Sequence, residues 1–213
     1  MSCLRTLIYM LFIAALAQGT YYEALYHPEG RFSELGFTEL AQSVLLLMSA
    51  MLLLYVRQVL RVWPTITLLM FAFVFSSFIR EQDYWLDTWV ARHTWKVLVA
   101  LVIVPCLYWV IMERRRFIEE FAWYGNSFSF GLFAAGVLVT HVFSRLYGRQ
   151  SFWMAVLEEN YVRTFKNAAE EVVELLGYGL ILIAVIEFVL LARRWQRANS
   201  RASSVRHQAI QHR

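Results

Sequence analysis

Glu171 and Glu174 stand three residues apart, and with Asn167 before them and Tyr178 after them they form one stripe on a helix. Two carboxylates so placed can divide the work of general acid and general base. Asp83 and Asp87, four residues apart in the run FIREQDYWLDTWVARHTWK, are a second candidate catalytic pair. His93 and His141 are the histidines that supply metal-ligand chemistry to such a set, because imidazole with carboxylate suits zinc, iron or manganese. A divalent metal there would deprotonate a bound water near neutral pH for attack on an ester, amide or phosphate. The donor pattern is thin, since the chain has no HExxH and no two histidines at ligand spacing, so the cofactor stays open. Arg80, Arg145, Lys96 and Lys166 are candidates to hold a lipid phosphate, and Glu39, Gln42 and Tyr178 complete the substrate-binding set. No Gly-x-Ser-x-Gly elbow supports a covalent nucleophile, and Ser76 and Ser77 are expected to bond to their own helix carbonyls. A plainer reading competes with all of this: carboxylates favour helix N-termini because they oppose the macrodipole, which would explain Glu39, Asp83, Glu170 and Glu171 without chemistry.

These residues are scattered along the chain, so helices must gather them. Of 213 residues, 59% are hydrophobic and only 17% charged, which excludes a soluble domain and describes a chain whose solvent is mostly lipid. A hydrocarbon core of roughly 30 Å needs about 20 helical residues. The windows that meet or approach this length are 6–18, 40–56, 64–79, 94–112, 127–144 and 175–192. The expected fold is therefore all-α, a polytopic integral membrane bundle of six transmembrane helices over residues 1–192, followed by a disordered basic cytoplasmic tail over 193–213. Residues 1–17 also fit a secretory signal, with Arg5, a short apolar run and Ala15-Leu16-Ala17 as a small-x-small site; the reading adopted is an uncleaved first helix.

Numbering the segments alternately sorts the charges. The side of the N-terminus carries 12 basic residues against 3 carboxylates, and the other side 8 against 12. Positive charge is retained in the cytoplasm, so both termini are expected there and the acidic rim faces outward from an inner (plasma) membrane. The basic pI of about 9.2 then reports topology and attraction to anionic headgroups, not nucleic acid. Glu187, inside the sixth window, is expected to snorkel or to pair with Arg57, Arg61 or Arg194.

The remaining signals concern packing. Gly131 with Ala135 and Gly177 with Gly179 mark narrow faces for close helix contact. Pro105 should bend the fourth helix. Cys3 and Cys106 are too far apart in depth for a disulfide. The function expected from the sequence is a membrane-embedded hydrolase or transferase acting on a lipid or membrane-bound substrate in an outward-facing polar pocket. The alternative is a non-catalytic membrane subunit or small-solute carrier. Expected partners are membrane lipids, with a homo-oligomer or another membrane protein as the protein partner.

Overall fold

The computed structural model describes residues 2–26 and 36–211, with side chains for 3–26 and 36–200. Glu29, Arg31 and Glu34, counted above with the acidic side, lie outside the described residues, as do the tail side chains from 201 onward. Among the described residues every regular element is helical. The chain order is α1 (Ser2–Tyr26), α2 (Phe37–Tyr55), α3 (Pro64–Glu81), α4 (Asp83–Trp89), α5 (Thr94–Met112), α6 (Arg114–Tyr124), α7 (Phe128–Leu138), α8 (Ser144–Tyr147), α9 (Gln150–Leu157) and α10 (Arg163–Gln211). A π-helical turn, Val56–Leu60, extends α2, and a second, Val139–Phe143, joins α7 to α8. Six helical stretches are long and apolar enough to cross a membrane, and each contains one of the six expected windows apart from a residue or so at its ends.

Local chemistry explains where these helices start. Pro64 occupies the first turn of α3, where its missing N–H costs nothing. Ser127 caps α7 by accepting from the Phe130 N–H at 3.1 Å. Two other N-termini are capped from a distance by buried carboxylates. Glu23 of α1 accepts from the Thr38 N–H of α2 at 2.9 Å, and Glu120 of α6 accepts from the Thr65 and Ile66 N–H groups of α3 at 2.9 and 3.0 Å. Each carboxylate satisfies orphan donors and opposes the positive end of the dipole. α5 runs unbroken through Pro105.

α10 is the axis of the bundle. In its apolar stretch 67% of the residues are buried, against 6% in α1 and in α5. It packs on α7 and α2; α3 joins α2 to α5, and α1 leans on α10 and α2. The core runs along α10 through Leu175, Tyr178, Ile181, Leu182, Val185, Phe188 and Ala192, met by Leu46, Leu53, Ile66 and Val74.

The narrow contact between α7 and α10 is built from Gly136 and Gly177. A Cβ on Gly136 would lie 2.9 Å from the Gly177 carbonyl oxygen, and one on Gly177 would lie 1.9 Å from Thr140 Oγ1. Gly131, expected to make this contact, faces open space, because it projects on another side of the helix from Gly136. Gly179 turns instead toward α1, with Ile13 Cδ1 3.0 Å from where its Cβ would be.

Where the sequence suggests an unstructured tail from residue 193, α10 continues to Gln211. No Gly or Pro follows Gly179, and Ala, Arg and Gln are good helix formers. Trp195 also anchors this stretch, with its ring 5.6 Å from Trp63 and 4.8 Å from Trp123.

Candidate functional site

α10 begins at Arg163, about three turns before its apolar stretch, and this places Lys166, Glu170, Glu174 and Tyr178 at successive four-residue steps. That face meets the end of α3 and the start of α8. Arg80 of α3 donates through Nη2 to Glu81 Oε1 at 2.7 Å, Glu174 Oε2 at 3.2 Å and the Tyr178 hydroxyl at 3.1 Å. Tyr178 in turn donates to Glu81 Oε1 at 2.7 Å. The other Glu174 oxygen accepts from Ser144 Oγ and from Arg145 Nη2, each at 3.0 Å. Arg145 also pairs with Glu170, whose second oxygen holds Lys166. The side chain of Glu174 is only 4% exposed, so its negative charge rests on these donors and not on water.

Glu171 stands one residue further round α10 and faces α2. Gln42, fully buried, donates through Nε2 to the Glu171 carbonyl at 3.0 Å and to its carboxylate at 3.1 Å. The cluster thus holds three cations, Arg80, Arg145 and Lys166, and four carboxylates, Glu81, Glu170, Glu171 and Glu174. Glu81, Glu170 and Glu174 each sit on a cation. Glu171 lies in the field of the other three carboxylates, and among the described residues its hydrogen-bond partner is the amide of Gln42.

Among the described residues, four buried side-chain polar atoms have no hydrogen-bond partner: Gln42 Oε1, Ser76 Oγ, Thr140 Oγ1 and His141 Nε2. All four belong to the helix halves on the cluster's side of the bundle. Thr140 and His141 lie in the π-helical turn, a feature frequent at functional sites. His141 stands edge-on to Phe73 at 5.2 Å between ring centroids, and the charges of Arg80 and Arg145 act on it. Ser77 bonds back to the Phe73 carbonyl at 3.1 Å, as its helical position suggests, whereas Ser76 does not.

The expected rim therefore divides in two. Glu171, Glu174, Tyr178, Gln42, Arg80, Arg145 and Lys166 come together. Asp83, Asp87, His93 and Lys96 do not join them, because α4 carries Asp83 and Asp87 outward along its own exposed surface. There Asp83 and Asp87 line a separate hollow with Tyr84, Thr88 and Arg92. Asp87 accepts from the His93 backbone N–H at 2.8 Å, holding the left-handed residue that precedes α5. Lys96 rests 5.5 Å from the Trp95 ring. Glu39 sits in the first turn of α2. His93 and His141 are thus on different features, and no group of three or more potential metal ligands occurs among the described residues. Sequence reasoning left Ser144 out of the site and treated Glu170 as helix-end decoration, and both prove to be members of the cluster. The four-residue spacing of Glu170 to Lys166 and Glu174 along α10 was the available signal, whereas Ser144, directly before Arg145, had none.

Glu187, expected to snorkel or to pair with Arg57, Arg61 or Arg194, is held by α1 instead. Arg5 reaches it at 3.0 Å and the Tyr9 hydroxyl donates to it at 2.7 Å. Glu187 is two turns from Gly179 and so shares the α10 face that meets α1. Arg57 donates instead to the Pro64 carbonyl. From Tyr178 to Glu187 α10 rises about 14 Å, and the buried positions between them are Gly179, Ile181, Leu182, Ile183, Ala184 and Val185.

No family is identified by comparison. No family model matches the chain, and neither a curated protein nor a solved structure does. The site is read from its own chemistry.

Proposed function

We propose that this chain is a multi-pass protein of the inner (plasma) membrane, with both termini cytoplasmic, whose outward-facing cluster carries out acid–base chemistry on a lipid or other membrane-bound substrate as a hydrolase or transferase. The observation that carries the reading is Glu171, a carboxylate that has no cation among the described residues in a cluster where every other carboxylate has one. A carboxylate left in the field of like charges, with an amide as its donor, is the group best placed to take a proton from water or a substrate hydroxyl. Arg145 and Lys166 are partly exposed, at 49% and 29% of their side chains, so their outer N–H groups can meet an anionic headgroup while their inner ones hold Glu170. Glu174 and Tyr178 keep Arg80 fixed behind them. A carrier is less well supported, since no ionisable side chain of α10 lies between Tyr178 and Glu187. A non-catalytic subunit has one observation in its favour, the broad apolar surface of α5, which packs chiefly on α3.

The test compares lipid extracts of cells expressing the wild-type chain or Glu171→Gln at equal membrane levels, by mass spectrometry. Catalysis predicts a lipid species formed or consumed only with the wild type. Identical lipid profiles from two folded proteins would defeat the hydrolase and transferase reading.

A further inference from the structure

A cavity of about 1040 Å³ runs along the bundle between α1, α7 and α10, from Leu180 near the cluster to Arg194 at the opposite end. Its long walls are apolar, formed by Met10, Ile13, Ala14, Ala17, Leu132 and Leu180 among others. Its charged groups gather at one end, where Arg5, Glu187 and Arg194 lie with Tyr9 and Asn126, while Ser129 donates to the Ala184 carbonyl. Glu187 there is already held by Arg5 and Tyr9. Arg194 is exposed and adds a second cation to the same end. We propose that this groove is a binding site for a phospholipid with an anionic headgroup, its phosphate against Arg194 and Arg5 and one acyl chain along α1.

Three features select this occupant. The groove is amphipathic lengthwise, polar at one end and apolar beyond it, which matches one headgroup and one chain. From Arg5 to Ala17 α1 rises about 18 Å, close to the roughly 15 Å of one leaflet's share of the hydrocarbon core. Two arginines against one carboxylate leave the polar end positive, complementary to a phosphate. The site does not depend on the chemistry proposed for the cluster around Glu171, which lies at the other end of α10.

Native mass spectrometry of the purified protein, titrated in detergent with dioleoyl phosphatidylglycerol or dioleoyl phosphatidylcholine, tests the proposal. One arginine near a lipid surface favours an anionic headgroup by about fivefold, and the wild type should bind phosphatidylglycerol over phosphatidylcholine by at least that factor. Ala14→Trp, which fills the groove from α1, should remove the tight adduct of either lipid. Arg194→Gln should keep a phosphatidylcholine adduct and lose the preference for phosphatidylglycerol. Circular dichroism and the melting temperature of each variant establish that it is folded; Leu132→Trp replaces Ala14→Trp if the latter is not. Equal adducts on the wild type and a folded groove-filling variant would place the lipid elsewhere on the surface and overturn the proposal. Absence of any lipid preference in the wild type would do the same, leaving a helix of another protein as the groove's occupant.

Discussion

Glu174 and Glu171 differ by three positions on one helix, yet they answer to different forces. Glu174 accepts from Ser144, Arg80 and Arg145 and has almost no contact with solvent. Breaking a buried ion pair by removing one partner typically costs 3–5 kcal/mol, about that much because the remaining charges stay buried without a counterion. Arg80 keeps Glu81 and Arg145 keeps Glu170, and both arginines retain some access to water, so less than that applies and the loss is that of charge-assisted hydrogen bonds: Glu174→Gln should destabilise the folded protein by about 2 kcal/mol. Glu171 loses no cation on conversion to Gln, and its replacement should cost about 1 kcal/mol or less. Denaturation of the two variants in mixed detergent micelles, followed by circular dichroism, measures the difference. Equal losses would mean that cation matching does not separate the two carboxylates, and with it would go the argument that singles out Glu171.

At the scale of elements, close packing of α7 on α10 depends on which small residue faces the partner helix. Gly136→Ala drives a Cβ to within 2.9 Å of a backbone oxygen that cannot turn aside. A cost of about 1–3 kcal/mol is expected from such overpacking. Gly131→Ala meets nothing and should be neutral, or stabilising by up to about 1 kcal/mol through helix propensity. Melting temperatures in one detergent compare the two directly, and a larger loss from Gly131→Ala would reverse the assignment of the helix faces.

The same element shows what could be read in advance. Six apolar stretches were legible because lipid imposes a length and a composition. The polar face of α10 was legible as spacing, since Glu174 and Tyr178 stand one turn apart in the chain. Its start at Arg163, one turn before the Asn167 of that stripe, was not, because RTFK carries no hydropathy signal; Lys166 is held there by Glu170, which also pairs with Arg145. Nor could the chain reveal that α4 would separate Asp83 and Asp87 from Arg80, because that depends on a turn at Gln82 whose geometry no periodicity records. Glu187 was visible as a charge among apolar residues, but its partner lies 182 residues away on a helix whose packing is decided by Gly179.

For the whole molecule, the interactions divide by end as well as by residue. Arg5 with Glu187, Arg57 with the Pro64 carbonyl, Arg116 with Glu120, and Gln196 with the Leu60 carbonyl all fall at one end of the bundle. Arg80, Arg145 and Lys166 with their carboxylates fall at the other. The first end also carries Arg61, Arg114, Arg115, Arg193, Arg194 and Arg197, which have few carboxylates to offset them. An end with surplus arginine is the one retained in the cytoplasm during insertion. Reporter fusions after Arg116 and after Arg197 should therefore read cytoplasmic, and fusions near Asp87 and Glu158 should read external. The surplus can also be moved: replacing Arg114, Arg115 and Arg116 by Gln should weaken the orientation signal, so that the Arg116 fusion begins to report a mixed location. A wild-type chain whose Arg197 fusion reads external would turn the Glu171 cluster toward the cytoplasm, and the substrate sought for it would then have to be a lipid of the inner leaflet.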